Sequence, residues 1–501
     1  MLPLLTAKQI RDADAFTIAN EPISSVDLME RASKAFVGWF VNHFQDKQQS
    51  IAVYCGTGNN GGDGLAIARI LGEHGFKNLT VKVIRFSDKP SNDFNTNLER
   101  LQATHIKITE INKGETDFSE QADIIIDALL GSGLNKPLAG DYKNLVEHLN
   151  KLDTTVVAVD VPTGFYTDAE IPKEATILKT DITITFQQPK INFLLPESGP
   201  YIDCCEVVKI GLSEEFINAV DTPYYLVERE DIRKILKPRK RFSNKGTYGH
   251  AFIIAGKDET MGAALLASSA CAHAGAGLTT ACIPQSGLIA LNSSMPEVMA
   301  LIRKDEELPA IAWDKFSAIG IGPGLGKSTD TLQLLNDIIE HYKKPVVIDA
   351  DALNVLADNK QLLNELPTGS ILTPHMKEFD RLFGEHQNWW QRVQKAKAKA
   401  EELTIYIALK NDYTIIATPE GKLYFNSTGN PAMATGGMGD VLTGIITSLL
   451  AQHYTQEQAC LAGIYIHGKA GDELALPNRS KVVLPQQVAN HLPSTMAKLI
   501  A

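Results

Sequence analysis

The sequence is poor in the features that mark secreted, membrane-spanning and nucleic-acid-binding chains. Only six of its 501 residues are cysteine, and Cys55, Cys204, Cys205, Cys271, Cys282 and Cys460 show neither a CxxC pair nor a Cys/His ligand spacing. A disulfide framework and a zinc site are therefore unsupported; the cysteines are expected to be small buried hydrophobes in a reducing cytoplasm. No apolar run approaches the roughly 20 residues that span a bilayer. The opening MLPLLTAKQIRDADAF turns polar too early for a signal peptide, so no membrane partner is expected. Positive charge is not in excess either. The 48 Lys+Arg against 59 Asp+Glu leave a net charge of −11, which repels phosphate backbones and argues against nucleic acid as a partner. No internal repeat of about 20 to 50 residues is present, which excludes a solenoid.

What the chain does have is enough apolar material for real cores: 44% hydrophobic, 7% aromatic and 21% charged residues. Single cores stop growing near roughly 250 to 300 residues, so two domains are expected. Short apolar runs alternate with longer helical patterns, the signature of α/β units around mostly parallel sheets. The first half supplies IAVYC (51–55), LTVKVIRF (79–86), ADIIIDAL (122–129), TTVVAVDV (154–161) and DITITF (181–186). The second supplies HAFIIAG (250–256), SAIGIG (317–322), PVVIDA (345–350), SILTP (370–374) and LTIYIALK (403–410). Both halves read as doubly wound, three-layer α/β/α domains. Between them a charged stretch with two prolines, DTPYYLVEREDIRKILKPRKRFSNKGTYGH, carries no strand-helix alternation. The boundary is expected within 218–228, giving domains 1–220 and 221–501, and the basic run Lys237 to Arg241 reads as a solvated linker.

In the first half, IAVYC runs into Gly56-Thr57-Gly58-Asn59-Asn60-Gly61-Gly62-Asp63-Gly64 and then a helical segment. Five glycines in nine residues let backbone amides approach a phosphate at a helix N-terminus, although tight packing also selects glycine. Two further strands end in acids before loops: Asp127, followed by a glycine loop at Gly131 to Gly133, and Asp160, followed by Thr163. Strand C-termini of an open α/β sheet converge on one crevice, so Asn60, Asp127, Asp160 and Thr163 can meet around a single ligand. Asn, Asp and Thr are hard oxygen donors, suited to a monovalent or hard divalent cation rather than zinc.

In the second half, Asn430-Pro-Ala-Met-Ala-Thr435-Gly436-Gly437-Met438-Gly439-Asp440 leads into the helical VLTGIITSLLAQ. Glycines leave that helix N-terminus open to a developing phosphoryl charge, and Asp440 in its first turn can take a proton from an attacking hydroxyl. IGPGLGK (321–327) offers a second glycine loop for a large ligand but lacks the spacing of a Walker P-loop. His375, after a strand and Pro374, is a candidate ligand contact, or else a satisfied structural histidine.

Asn59 to Gly64 together with VVAVDVPTG resembles the NAD(P)H-hydrate epimerases, of Rossmann-like fold. GTYGHAFIIAG, IGPGLG, DADALN, LTPHMKE and NPAMATGGMGDVLTG resemble the ADP-dependent NAD(P)H-hydrate dehydratases, of ribokinase-like fold. The whole chain is similar to the bifunctional family that repairs hydrated nicotinamide nucleotides. This resemblance implies that the first domain interconverts the R and S hydrates of NADH or NADPH. The second would dehydrate the S hydrate while ADP becomes AMP and phosphate. It implies that Asn59, Asn60, Gly61, Gly62, Asp63, Gly131, Ser132, Gly133, Leu134, Asn135, Lys136, Pro137 and Asp160 contact the hydrate. Asp160 would transfer the proton, and Asn60, Asp127 and Thr163 would hold K+. In the second domain it implies hydrate contacts from Ala263, Gly324, His375 and Asp440, with Asp440 as base. ADP would be bound by Lys410, Asn411, Asp412, Tyr413 and Thr414 and by Asn430, Thr435, Gly436, Gly437, Met438 and Gly439, with Mg2+. A cytoplasmic homo-oligomer is expected. The competing expectation is a ribokinase-like small-metabolite kinase fused to a Rossmann-like ligand-binding module, because that fold also serves kinases that stop at a phosphorylated product.

Overall fold

Isoleucine, valine and alanine dominate the central apolar runs, and these become strands buried on both faces. The computed structural model describes residues 1–500 except Asp88, Asn135, 304–310 and Asn478. The chain folds as two compact units: Pro3–Thr222, and Pro223–Ala501 together with Met1–Leu2. The short strand β1 (Leu2–Pro3) lies at the edge of the second unit's sheet.

The first unit holds seven strands: β2 (Ile51–Cys55), β3 (Leu79–Arg85), β4 (Lys107–Asn112), β5 (Ile124–Ala128), β6 (Thr155–Val159), β7 (Thr180–Phe186) and β8 (Ile202–Val208). They form one parallel sheet in the order β4-β3-β2-β5-β6-β7-β8. Alternate residues of each strand feed opposite layers, as a pleated sheet requires. Ile51, Val53 and Cys55 pack with Phe36, Phe40 and Leu65, whereas Ala52 and Tyr54 pack with Leu145, Val146 and Leu149. That is a three-layer, Rossmann-like sandwich. The helix Ser25–His43 is capped by Ser24, which accepts from the Asp27 amide, and buries Met29, Ser33, Phe36, Val37 and Phe40.

The second unit, of ribokinase-like fold, contains β9 (Tyr224–Val227), β10 (His250–Ile254), β11 (Leu278–Pro284), β12 (Met299–Arg303), β13 (Ala318–Ile321), β14 (Val346–Ile348), β15 (Ile371–Leu372), β16 (Tyr406–Leu409), β17 (Ile415–Ala417) and β18 (Leu423–Asn426). With β1 they make a sheet in the order β1-β9-β18-β17-β16-β15-β14-β13-β10-β11-β12. From β9 to β12 along this sheet the strands pair in parallel, except β17 with β16 and β18.

In each unit the chain lays strands outward on one side, then returns to the first strand and builds the other way. The reversal falls between β2 and β5 in one unit and between β10 and β13 in the other. Crevices form outside strand C-termini at such points.

Four expectations need correction. The stretch after residue 220 is not free of regular structure: it contains β9 and the helix Arg229–Ile235. A strand of four residues paired with β18 is too short to show periodicity. β4 and β8 were not anticipated because edge strands alternate weakly; few of their residues are buried. For the same reason Cys204 and Cys205, on edge strand β8, are exposed, whereas the other four cysteines are buried; all six are free. Among the described residues no helix is long and apolar enough to cross a membrane. Lys237 to Arg241 are exposed but lie within the second unit, where the Lys237 amide donates to the Tyr454 hydroxyl and Arg239 donates to the Gly275 carbonyl and covers the Tyr248 ring, so they are not a linker between units.

Candidate active sites

The first crevice opens where β2 and β5 end side by side, tied by the Gly56 amide donating to the Ala128 carbonyl at 3.0 Å. The helix Asn59–Glu73 starts immediately beyond and packs against both strands. Most of the glycines there answer to packing. A Cβ on Gly61 would lie 1.7 Å from the Gly56 carbonyl oxygen, and one on Gly64 would lie 2.4 Å from the Ala128 Cβ. Gly58, by contrast, faces open space. Asn59 is exposed in the first helical turn, and Asn60 beside it has a buried Nδ2 without a hydrogen-bond partner. The loop after β5 reaches back over this amide: a Cβ on Gly131 would meet the Asn60 Cβ at 3.3 Å. Ser132, Gly133, Leu134, Lys136 and Pro137 continue that loop, and Asn135 lies outside the described residues.

Asp127 is fully buried at the end of β5. The Thr163 hydroxyl donates to its Oδ1 at 2.7 Å and the Thr163 amide to its Oδ2 at 2.8 Å, while the Leu129 amide donates to Oδ1 at 3.1 Å. Thr163 Oγ1 in turn accepts from the Leu130 amide at 3.0 Å. Burial pushes the Asp127 carboxyl up to about 6, held back by these donors. Asp127 and Thr163 thus meet at the ends of β5 and β6, and Asn60 faces the loop after β5 at Gly131. Together with the loop carbonyls they offer oxygen donors and one orphaned amide.

Asp160, just past β6, has a φ of 64°, a left-handed conformation rare outside glycine. Its Oδ1 takes donations from the Phe186 amide (2.9 Å) and the Thr185 hydroxyl (3.1 Å), and Lys190 Nζ lies 2.7 Å away. Two more carboxyls share the neighbourhood. Asp63 stands well above the ordinary carboxylate range, through burial and the negative charges of Asp160, Asp14 and Asp93. Burial and then Asp160 push Asp14 up to about 6, with Lys190 opposing. Sequence reading missed Asp14 and Lys190, since neither sits in a glycine loop at the end of the central strands.

The second crevice gathers around the N-terminus of the helix Met438–Ala451. Gly437, its N-cap, has a φ of 99°, and a Cβ there would lie 2.6 Å from Leu266 Cδ1. Gly439 is crowded by charge rather than by hydrocarbon: its Cβ would lie 3.2 Å from Lys410 Nζ and 3.4 Å from Asp349 Oδ2. Lys410, at the end of β16, donates to Asp349 Oδ1 at 2.8 Å, and the Thr443 hydroxyl donates to Asp349 Oδ2 at 2.8 Å. Glu378 Oε2 lies 4.0 Å from the same ammonium. Burial works against the charge on Lys410, but the Asp349 and Glu378 carboxylates outweigh it and raise its pKa. Asp440 is pushed up to about 7, first by burial and then by the Asp349 charge, with Lys410 opposing. A carboxyl near neutrality beside a cation and free helix amides is equipped to take a proton while negative charge builds next to it.

A cavity of about 460 Å³ leads away from Gly439. Lys410 to Thr414, Asn430, Met438 and Gly439 line it, whereas Thr435, Gly436 and Gly437 form the approach to the helix rather than the wall. The side-chain amide of Asn430 donates to Asp472 Oδ1 at 2.8 Å. Two buried polar atoms without protein partners belong to lining residues, Asn411 Nδ2 and His467 Nε2. Burial, followed by Lys410, lowers the His467 pKa to about 4, so its imidazole is neutral. Gly324 has a φ of 63°, and a Cβ on it would lie 2.9 Å from the Ala263 Cβ, so these two candidates are neighbours. His375 has a structural role. Its Nδ1 accepts from the Lys377 (3.1 Å) and Glu378 (3.2 Å) amides, capping the helix Met376–Phe383, yet the residue is exposed and paired in a bridge with Lys410. Sequence reading missed Asp349, Glu378, Thr443 and His467. The motif DADALN contained the first of these, but only the ion pair with Lys410 reveals its part.

Residues 251–494 match the family model for NAD(P)H-hydrate dehydratase, and residues 25–192 match that for the YjeF-related protein N-terminus. The bifunctional NAD(P)H-hydrate repair enzyme Nnr of Coxiella burnetii is 34% identical, over 98% of this chain and 99% of its own. Its counterpart from Moorella thermoacetica is 32% identical, over 99% of this chain and 97% of its own. Among solved structures, a ribokinase-like superfamily protein of Enterococcus faecalis is 27% identical with a TM-score of 0.50, covering 56% of this chain and 98% of its own. A hypothetical protein of Streptococcus mutans is 28% identical with a TM-score of 0.51, covering 55% and 100%.

Proposed function

The chain belongs to the bifunctional NAD(P)H-hydrate repair enzymes, and from that premise we propose which residues of each unit repair hydrated nicotinamide cofactors. The first unit interconverts the R and S hydrates, and the second converts the S hydrate to NADH or NADPH at the expense of ADP. The observation that carries this reading is Asp440, held near neutrality beside the Lys410–Asp349 pair at an open helix N-terminus.

Hydroxide leaves carbon poorly, so the C6 hydroxyl has to be activated. Asp440 takes the hydroxyl proton as the oxygen attacks the terminal phosphorus of ADP, and AMP departs. The amides from Gly436 to Gly439 and the Lys410 ammonium hold the charge of the transferring group. Phosphate then leaves C6 with the bonding electron pair, a proton leaves C5, and the C5=C6 double bond is restored. The cavity lined by Lys410 to Thr414, Asn430 and Met438 takes the rest of the nucleotide, while Gly324, Ala263 and His375 face the hydrate. Mg2+ would be carried chiefly by the nucleotide phosphates, since the described residues hold no group of three His, Cys, Asp or Glu able to bind a metal. When bound, it neutralises phosphate charge.

In the first unit, inversion at C6 can proceed by opening of the ring: a base takes the C6 hydroxyl proton as C6=O forms, the N1–C6 bonding pair and a proton go to N1, and N1 then re-adds to the other face of C6 while the proton returns to the oxygen. Asp160 is the group for that transfer. Asn59 to Asp63 and the loop from Gly131 to Pro137 hold the hydrate. Asn60 through its Oδ1, Asp127 and Thr163 would hold K+, and these hard oxygen donors suit such a cation. When bound, K+ would supply local positive charge for the anionic dinucleotide. We place the enzyme in the cytoplasm, in keeping with its six free thiols, and read it as a homo-oligomer, which light scattering on the full chain would test.

The decisive experiment incubates the protein with NADH hydrate, ADP and Mg2+ and follows the absorbance of the restored dihydropyridine. Recovery of both epimers supports the reading. Phosphorylation of an alcohol metabolite without any recovery of NADH would replace it with a kinase.

A further inference from the structure

Lys190 is one of the largest side chains with almost no exposure, at 1%, and a lysine that deep needs partners for its charge. It follows β7 and precedes the turn Ile191–Leu194. Its ammonium donates to the Phe186 carbonyl at 3.1 Å and lies 2.7 Å from Asp160 Oδ1. Every hydrogen bond described for the Asp160 carboxylate falls on that same oxygen, from Thr185, Phe186 and Lys190. Among the described residues Oδ2 accepts none, and it is not one of the buried unpartnered atoms, so it is not sealed in the interior. One oxygen is clamped and the other is free. The backbone of Asp160 is itself held in the left-handed region, which the surroundings must enforce.

The electrostatic setting gives the clamp a purpose. The groups that interact with Asp160 are Asp63 on the helix Asn59–Glu73, Asp14 on the helix Ala7–Asn20, Cys205 on β8, and Lys190, and the cluster continues to Asp93 on the helix Asn92–Gln102, which acts on Asp63. Lys190 is the only cation among them. Asp14 and Asp63, which lack such a contact, are both pushed upward by burial and by their negative neighbours.

We propose that Lys190 is the positioning residue of the epimerase site: it fixes Asp160 through Oδ1 as a carboxylate and leaves Oδ2 free to take and return the proton of the C6 hydroxyl. This rests on the epimerase reading above and adds to it a reason why Asp160, among four neighbouring aspartates, is the one that works as the base. The function of the buried cation is to separate one acid from the rest.

The test is the pH dependence of R-to-S conversion in the full-length enzyme carrying Lys190→Met or Lys190→Arg. Dehydration of the S hydrate serves as control, and thermal unfolding as a check of folding. Loss of the cation should slow epimerisation at neutral pH by about 100-fold, the usual scale of a misplaced proton-transfer group. It should also move the acidic limb of the profile to higher pH, so that activity partly returns in alkali, and arginine should restore most of the rate. If Lys190→Met unfolds the first unit, the pair Asp160→Asn and Asp160→Asn/Lys190→Met gives the answer, because it removes both charges together. Equal residual rates mean that Lys190 acts through Asp160, whereas a further fall in the double variant overturns the inference. An unchanged rate and profile in Lys190→Met overturns it too, as does a pH-independent loss that arginine does not rescue. Failure of the unmodified enzyme to epimerise would instead reject the reading on which the inference rests.

Discussion

Dehydration of the S hydrate should switch on with rising pH through about 7, because Asp440 can accept a proton only once it has lost its own. Its carboxyl stands at about 7 instead of 3.8, and at ~1.36 kcal/mol per pH unit this is ~4 kcal/mol that the fold spends on keeping a base of neutral strength. Burial is the largest cause, and two charges then act in opposite directions: Asp349 raises the value and Lys410 lowers it. At an effective dielectric of ~20 and a separation of ~6 Å, one unit charge is worth ~3 kcal/mol, or at most about two pH units. Asp349→Asn should therefore lower the midpoint by about one to two pH units, helped by a Lys410 ammonium freed from its partner. Lys410→Met should raise it by a similar amount and also slow the reaction, since it removes a phosphate contact. The assay is kcat/KM for the S hydrate at saturating ADP from about pH 5 to about pH 9, which reports the ionisations of the enzyme–ADP complex before the hydrate binds. A flat profile across that range, or a midpoint moving the same way in both variants, would refute the assignment of Asp440 and the charge arrangement around it.

Other expectations follow from the same geometry. Asp160→Asn should slow R-to-S conversion by about 100-fold or more and leave S-hydrate dehydration unchanged; if both activities fall together, the two-site division is wrong. His467→Phe, which removes an orphaned nitrogen from the cavity wall, should weaken ADP by about tenfold in calorimetry while epimerisation is untouched; unchanged ADP affinity would exclude contact with the nucleotide. Gly61→Ala should destabilise the first unit by about 1–3 kcal/mol or more, seen as a lowered unfolding temperature, because its methyl would overlap the Gly56 carbonyl. Asp127 carries a pH signature in stability. With its folded value near 6, above the ordinary 3.8, the folded state retains the proton longer than the unfolded chain. Stability should therefore fall as pH rises from about 4 to about 6, and Asp127→Asn should flatten that slope in potassium-free unfolding.

Much of this was legible in the sequence because glycine and aspartate at strand ends are conspicuous. The central strands β2, β5, β6, β10, β13, β14 and β16 lie within the predicted runs, being buried on both faces and so almost wholly apolar. Asp127, Asp160 and Asp440 stand out as charges breaking those runs or following a glycine cluster. Lys190, Asp349 and His467 do not. Each draws its significance from a partner or cavity supplied by a distant segment: Asp160 for Lys190, Lys410 for Asp349, and the wall opposite for His467. The edge strands β4 and β8 and the short β9 were hidden for a different reason, since half-buried or very short strands carry little hydrophobic signal.

The sheet reversals between β2 and β5 and between β10 and β13 also bear on how each activity comes into being. In the first unit the pairing joins residues 51–55 to 124–128, across the whole excursion through β3 and β4. In the second it joins residues 251–254 to 318–321, and the base on residue 440 and its cation on residue 410 arrive later still. Such non-local pairings are slow to form and come after local helices and neighbouring strands. A chain arrested with only its outer β2–β3–β4 or β10–β11–β12 segment in place would have ordered structure but no crevice. Recovery of turnover during refolding should therefore lag behind recovery of secondary structure, and each of the two activities can serve as a clock for the completion of its own sheet.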